Sequence, residues 1–374
     1  MMTYGGAETV VTQLATCLTK KGIETAILTL SMPPDFALKA HKKLHWIVPT
    51  KTYTYKIKTT RFFDTLGLID EIAVLRRYVH EHMDSFDLVN VHNFPATWSV
   101  FPSTKPCVWM CNEPPDFWNN PNPSPPLKML RHAGLVLDKF IVNKSIDALC
   151  VADEFNANRA IKKYQKQPII VYYGIDHDFF SSGKGEYITK EYRLHDSFVL
   201  LQIGWIGPSK NQLESVRAVE KVKKVIPNVK LVLAGSSVKP YEKMLKEYIR
   251  QTKCEKHVII TGYLPNYKVR DLYHASDIVL SPVKLQGGWL APFEALCASK
   301  PIIVSPSMSA SSIIKREKIG GVTDNFAQAI LDAYNNPKPF QDMARRGKQW
   351  VAENLSWDKF CDRMLTVFEK VLHD

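Results

Sequence analysis

The sequence predicts an α/β protein made of two Rossmann-like, doubly wound domains that face each other across a cleft. Three observations carry this expectation. Short apolar runs of strand length alternate with longer segments whose apolar residues recur at helical spacing, the pattern of a parallel sheet covered by helices. The alternation pauses in the polar, glycine-bearing stretch Ser181-Ser182-Gly183-Lys184-Gly185 and starts afresh at Phe198. At 374 residues the chain is long enough for two cores of ordinary size. The domains are expected over residues 1–180 and 190–356. In sheets of this kind ligands bind outside the carboxyl ends of the strands.

The first half opens irregularly. A doubly wound domain normally begins with a strand that runs through a glycine turn into a helix, yet Gly5-Gly6-Ala7-Glu8 follows only Met1 to Tyr4. The first strand is therefore expected to be missing from this chain or to lie upstream of Met1, and the sequence leaves both open. Glu8 to Lys21 sets Val10, Val11, Leu14, Ala15 and Leu18 on one helical face, and Gly22 closes that helix. Ile23 to Leu30 reads as a buried strand. Asp64 to His82 is a second helix, with Leu66, Ile69, Ile72, Leu75 and Val79 along one side. Strands follow over 87–92, which ends on His92, and over 107–111, which runs into Asn112-Glu113-Pro114-Pro115. The proline- and asparagine-rich segment 114–126 must be a loop. Residues 127–143 return to helix, and 146–152 and 168–172 are short strands.

In the second half, strands are expected over 198–203, 229–234, 258–261 and 278–281, and helices over 211–225, 241–252 and 269–275. Next comes Gln286-Gly287-Gly288-Trp289-Leu290-Ala291-Pro292-Phe293-Glu294. Two glycines let the backbone come close to a ligand, and a helix opens with a carboxylate expected in its first turn. Lys300-Pro301 ends that helix and Ile302 to Ser305 begins another buried strand. A strand, a glycine loop and a helix start form an anion site because free N–H groups converge there. Trp357 to His373 places Phe360, Met364, Val367, Phe368 and Val371 at helical spacing.

Composition narrows the function. Hydrophobic and charged contents of 45% and 23% are those of an ordinary globular protein, and no apolar run approaches the ~20 residues that span a bilayer. With no signal-peptide pattern at its start, the chain is expected in the cytoplasm. Its seven cysteines are scattered, and no His or Cys cluster has metal-ligand spacing, so buried thiols are expected. The net charge of +12 points to acidic partners. Between Phe36 and Phe63 there is no acid, while Lys39, Lys42, Lys43, Lys51, Lys56, Lys58 and Arg61 are interleaved with Trp46, Tyr53, Tyr55, Phe62 and Phe63. Residues 39–63 thus suit peripheral contact with a membrane surface, the inner face for a cytoplasmic chain, and equally a solvated strand-and-loop face. No nucleic-acid motif accompanies the charge, so nucleic acid is not an expected partner.

These motifs together resemble those of the retaining family 4, or group 1, glycosyltransferases of the GT-B fold, from Gly5 to about Trp357. Gly5-Gly6-Ala7-Glu8 resembles the family's N-terminal glycine turn, although Gly-Gly-Ala alone is a weak signal. Tyr173-Gly174-Ile175-Asp176 looks like the exit to the interdomain linker. Gly204-Trp205-Ile206-Gly207-Pro208-Ser209-Lys210 is similar to the loop after the first strand of the second domain. Leu233-Ala234-Gly235, Thr261-Gly262-Tyr263 and Leu272 to Asp277 fall at later landmarks, and 286–294 resembles the loop that carries two glutamates eight positions apart.

The resemblance implies a hexosyl-type transferase that moves a sugar from a nucleotide-sugar donor, with retention, to a glycan or lipid-linked acceptor, with neither cofactor nor metal. It implies donor contacts from Gly5, Gly6, Trp205, Gly287, Gly288, Trp289 and Leu290. Lys210, Gln286, Glu294 and Asn112 stand at catalytic positions, while His92 and Glu113 are candidates on the acceptor side. The first domain would hold the acceptor, the second the donor, and helix 357–374 would pack back on the first. Each residue has a plainer reading too: Lys210 a surface lysine, Glu294 a helix-start carboxylate, His92 a structural histidine. Three positions depart from the family. Asn112 replaces a frequent His, Trp205 an Arg and Gln286 a Glu, so three charged or titratable groups are neutral here. Lys284 is the cation the sequence offers in compensation. A degenerate relative that binds a nucleotide sugar, glycan or partner without catalysis is the alternative.

Overall fold

A computed structural model describes residues 6–30, 44–48, 61–115, 125–284 and 289–374. The chain divides into two compact units, residues 1–174 with 357–374, and residues 175–356. In the first unit the elements run α1 (Gly6–Lys20), β1 (Ala26–Leu28), β2 (His45–Ile47), α2 (Arg61–His82), β3 (Val89–His92), α3 (Ala96–Ser99), β4 (Cys107–Cys111), α4 (Pro125–Ser145), β5 (Ala148–Val151), α5 (Glu154–Tyr164) and β6 (Ile169–Ile170). Strands β3-β4-β5-β6 form a parallel sheet, with Val91 opposite Trp109, Trp109 opposite Leu149 and Cys150 opposite Ile169. β1 and β2 pair separately, also in parallel. Every residue of β4 is buried, because a central parallel strand is covered on both faces and therefore reads as one apolar run.

Several expected boundaries move. The strand expected over 23–30 shortens to the three residues that pair with β2. Helix α5, which the sequence did not announce, buries mainly the small residues Ala157 and Ala160 with Asn156 and Tyr164, so its apolar rhythm is faint. Its start is nonetheless well made: Asp153, fully buried, accepts from the Asn156 backbone N–H at 2.8 Å and caps the helix. Of the basic, aromatic stretch 39–63, only residues 44–48 and 61–63 are among those described.

A buried acid ties the first unit together. Asp138 of α4 is wholly inaccessible, and its carboxylate accepts from Trp98 Nε1 and from the Tyr164 hydroxyl, both at 2.8 Å. Lys163 Nζ lies 2.9 Å from the same carboxylate and also donates to the Pro115 carbonyl. One carboxylate thereby joins α3, α4 and α5 to the turn after β4.

The second unit contains α6 (His177–Ser181), α7 (Glu186–Glu191), β7 (Phe198–Ile203), α8 (Gln212–Val222), β8 (Val229–Ala234), α9 (Lys239–Gln251), β9 (Val258–Gly262), α10 (Asn266–Ala275), β10 (Ile278–Ser281), α11 (Leu290–Cys297), β11 (Ile302–Val304), α12 (Ser311–Arg316), β12 (Gly321–Val322), α13 (Phe326–Asn335) and α14 (Pro337–Asn354). Its six strands are parallel in the order β12-β11-β10-β7-β8-β9. The chain winds outward from β7 through β8 to β9, then returns to the other side of β7 as β10. That reversal creates a topological switch point between β7 and β10. The core under the sheet is aliphatic, with Leu200, Val219, Leu231, Leu233 and Ile330 all inaccessible.

The division between units falls at Gly174–Ile175, ahead of the boundary expected near residue 180. The reason is that α6 packs on the second unit, where His274 Nε2 meets the Phe180 carbonyl at 2.8 Å and the Phe180 and Tyr273 rings stand edge to face. The closing helix α15 (Trp357–His373) belongs to the first unit. Lys21 of α1 pairs with Asp362 at 2.9 Å, and Phe360 packs edge-on against Tyr173. Gly174 is required at this contact, since a Cβ there would sit 2.5 Å from Trp357 Cα.

Asp138 supplies a test of this fold. Asp138→Ala should destabilise the first unit by about 3–5 kcal/mol, because it strands the half-buried Lys163 ammonium together with the Trp98 and Tyr164 donors. Denaturant unfolding followed by tryptophan fluorescence measures it.

Candidate active site

The switch point is where the second unit gathers its polar loops. Residues 204–210 leave β7 and residues 282–284 leave β10, the two strands on either side of the reversal. Gly204 and Gly235 adopt φ of +130° and +150°, and a side chain on Gly235 would collide with the Gly204 carbonyl. Only glycine lets the ends of β7 and β8 approach in this way.

Two buried glutamines hold the loop after β7. Gln212 accepts from the Gly207 N–H at 3.2 Å and donates to the Trp205 carbonyl at 3.0 Å. Gln202 donates to the Lys210 carbonyl and accepts from Ser215, each at 2.8 Å. Asn211, in the left-handed region at φ +54°, donates to the Pro282 carbonyl at 3.0 Å, and the Lys284 N–H donates to the Ser209 carbonyl at 3.0 Å. Ser305 and Ser307 both donate to the Val283 carbonyl, which laces the ends of β10 and β11. Sequence reasoning missed Gln202, Gln212 and Asn211. Their roles depend on backbone partners in other loops, which no local spacing announces.

On this frame the half-buried Lys210 folds its stem back over Gly204, where an added Cβ would lie 3.8 Å from Lys210 Cε. Trp205 is 52% exposed at the head of the same loop. Lys284 is also exposed, one backbone hydrogen bond from Ser209. Gln286, Gly287 and Gly288 lie outside the described residues. Trp289 is 5% exposed and packs on Phe293 with ring centroids 4.6 Å apart, so its indole serves the core beneath α11. Leu290 opens α11 and is partly covered.

Glu294 differs from the expectation of a first-turn carboxylate. It is the fifth residue of α11, one turn in, and no acid occupies the first turn. Pro292 and Phe293 are buried beside it, so the helix start is apolar and the carboxyl lies deeper. Glu294 Oε2 accepts from the buried Tyr273 hydroxyl at 2.7 Å. Burial pushes its pKa up to about 7, against the opposing pull of the Tyr273 hydrogen bond.

In the first unit, His92 and Asn112 occupy the carboxyl ends of the adjacent strands β3 and β4. Asn112 is held from both sides. Its Nδ2 donates to Asn93 Oδ1 at 2.5 Å, and its Oδ1 accepts from the Tyr173 hydroxyl. Asn90 donates to the Val108 carbonyl at 2.9 Å, which turns its Oδ1 toward His92 Nε2 at 2.8 Å. The imidazole proton therefore sits on Nε2, and Nδ1 carries a lone pair with no partner among the described residues. Burial pulls the His92 pKa down to about 4, so the ring is neutral at physiological pH. Glu113 is half-buried next to Asn112, on a turn whose Pro114 and Pro115 carbonyls accept from Arg159 and Lys163. Gly6 begins α1 and is exposed, while Gly5 is not among the described residues. Among the described residues no three His, Cys, Asp or Glu side chains converge as a metal site requires.

With this geometry established, known proteins give it a context. The family described as Glycosyltransferase Family 4 matches residues 4–179, and the family described as Glycosyl transferases group 1 matches residues 184–350. The putative glycosyltransferase YtcC of Bacillus subtilis is 24% identical over 77% of this chain and 74% of its own length. The GDP-mannose-dependent alpha-(1-6)-phosphatidylinositol monomannoside mannosyltransferase of Mycolicibacterium smegmatis is 22% identical over 49% of the chain, which spans about half (51%) of that relative. Among solved structures, HepE of Anabaena in complex with UDP and glucose superposes with a TM-score of 0.78 at 15% identity, covering 98% of this chain and 96% of that one. That likeness fixes the fold as GT-B. Two family matches that adjoin near residue 180, one over the parallel strands of the first unit and one over the six-stranded sheet of the second, place the chain among the group 1, family 4 glycosyltransferases.

Proposed function

We propose that the chain transfers a hexosyl group from a nucleotide-sugar donor, with retention and without a metal, to a glycan or lipid-linked acceptor. The donor binds at the carboxyl ends of β7 and β10 in the second unit, and the acceptor binds on the first. The observation that carries this reading is the switch point itself, where the Lys210 loop and residues 282–284 leave adjacent strands and are joined by the Asn211–Pro282 and Lys284–Ser209 hydrogen bonds. HepE was solved with UDP and glucose, and the mycobacterial relative is named for GDP-mannose and a phosphatidylinositol glycolipid, which supports the substrate class.

The chemistry follows from charge. Negative charge grows on the departing nucleoside diphosphate, so fixed cations and N–H dipoles aimed at it lower the barrier. Lys210 supplies one cation. Trp205 cannot, and its exposed ring is suited to stacking on a base or sugar. Lys284, tethered through Ser209 to the Lys210 loop, is the compensating cation. Gly287 and Gly288 offer backbone N–H groups, and Gln286 hydrogen-bonds a sugar hydroxyl. Glu294, once ionised, accepts from ribose hydroxyls. On the first unit, His92 and Glu113 are the candidates for the acceptor side, and Asn112 positions the turn that carries Glu113. The same reading places the chain in the cytoplasm and in polysaccharide or glycolipid assembly. A lipid-linked acceptor would bring residues 39–63, basic and aromatic with no acid, to the membrane surface; no helix among the described residues is long and apolar enough to cross it.

A panel of nucleotide sugars, scored by thermal shift and by release of free diphosphate, tests the reading. Turnover with a matched acceptor and an unchanged anomeric configuration is the expected result; binding without turnover in any combination would leave a binding protein instead. Lys210→Ala should weaken the bound donor by roughly 1.5–3 kcal/mol, the worth of hydrogen bonds to a charged group, and Lys284→Ala should add to that loss. Isothermal titration with the intact nucleotide sugar measures both, and the uncharged nucleoside should bind both variants normally.

Glu294 makes a second, opposed prediction. Its folded pKa of about 7 lies above the ordinary 4.5, so the stability its proton confers is full below pH 4.5 and lost as pH rises through 7. Glu294→Gln removes that penalty. At pH 8 it should stabilise the second unit, by up to on the order of 3 kcal/mol, while weakening nucleoside and nucleotide-sugar binding alike. Thermal denaturation at pH 5 and pH 8, together with nucleoside titration, checks both halves.

A further inference from the structure

Helix α4 is apolar on two opposite faces. One meets the core through Ile141 and Val142, with Asp138 and Ser145 buried between them. The other points to solvent: Met129 is 76% exposed, Val136 56%, Phe140 49% and Leu137 45%, and Ala133 is exposed with them. Positions 129, 133, 136, 137 and 140 fall within an arc of about 100° on a helical wheel, centred opposite the buried face. Scattered exposed apolar residues are ordinary, but a continuous stripe of large ones along one helix marks a surface that something covers.

Charge identifies the occupant. Between residues 125 and 145 the chain carries Lys128, Arg131, His132, Lys139 and Lys144, against a single acid, Asp138. That acid is fully buried and paired with Lys163, so no acid of this helix reaches solvent. Lys144 follows Phe140 by one turn and is exposed, and Lys139 and His132 border the stripe on its other side. A second copy of this chain on the same face would bring these cations onto their own images with no acid of α4 to pair them. An anionic lipid surface answers both features: apolar side chains enter the boundary between headgroups and acyl chains while the lysines reach phosphate.

We propose that α4 docks this face on an anionic lipid surface, lying in the plane of the interface. The inference goes beyond the reading of the sugar site and does not depend on it. It concerns a helix outside residues 39–63.

The full chain should co-sediment with vesicles of phosphatidylcholine and phosphatidylglycerol, and weakly or not at all with phosphatidylcholine alone. Val136→Glu with Leu137→Glu should reduce that partitioning by about tenfold or more, since two carboxylates would have to leave water. Lys139→Glu with Lys144→Glu should remove the preference for phosphatidylglycerol. Val136, Leu137 and Lys144 are exposed, and Lys139 is partly exposed with its ammonium on the Gln165 side chain, so the melting temperature should change little and the binding of nucleotide should be retained, which separates this result from misfolding and from failure of the sugar site. The proposal is overturned if the natural chain stays in the supernatant with both vesicles. It is equally overturned if the Val136/Leu137 variant binds undiminished, which would put the contact elsewhere, or if that variant instead abolishes self-association detected by sedimentation velocity.

Discussion

The sheet of the second unit can hold a ligand because its chain turns back on itself. After β9 the next strand is laid down on the far side of β7, so the connections after β7 and β10 run in opposite directions from a shared border, where doubly wound sheets bind ligands. That border would be of little use if its loops were slack. Gln202 and Gln212, both buried, spend their amides on the backbone of residues 205–210, and Asn211 and Ser209 reach across to the loop after β10. Buried amides left unpaired would be costly, so these bonds and the loop shape enforce one another.

The same logic explains the divided character of the candidate residues. Lys210 and Trp205 stand on a pinned loop and remain accessible, as a group that meets a charged or planar ligand must. Glu294 is different, because burial holds it half protonated near neutral pH. A ligand hydroxyl that donates to it would favour the ionised form, so binding and deprotonation should be coupled there. In the first unit, Asn112 is engaged by Asn93 and Tyr173, which suits a residue that shapes a turn. His92 Nδ1 is buried at that strand end with no partner among the described residues.

Much of the architecture was legible in the sequence because periodicity is a local property. β4, β7, β8 and β10 appear over the residues read from their apolar runs, since central parallel strands are buried on both faces. Elements whose buried face is small or polar were not legible. α5 rests on two alanines and an asparagine, and α6 is a five-residue helix whose attachment to the second unit depends on His274 and Tyr273, almost a hundred residues away. The site divides in the same way. Motif singled out Lys210 and Glu294 as candidates, whereas the depth of Glu294, whose carboxylate meets Tyr273 on another helix, carries no local signal. Gln202 and Gln212 carry no motif at all.

In the proposed function, the loops on either side of the β7–β10 reversal hold a nucleotide. Hydrogen exchange of backbone amides, measured with and without a nucleoside diphosphate such as UDP or GDP, tests it most directly. Protection on binding should concentrate in residues 204–211 and 282–290 and disappear in Lys210→Ala at the same ligand concentration. Protection confined to other parts of the second unit, such as the edge of the sheet at β12, with both loops unchanged, would contradict it.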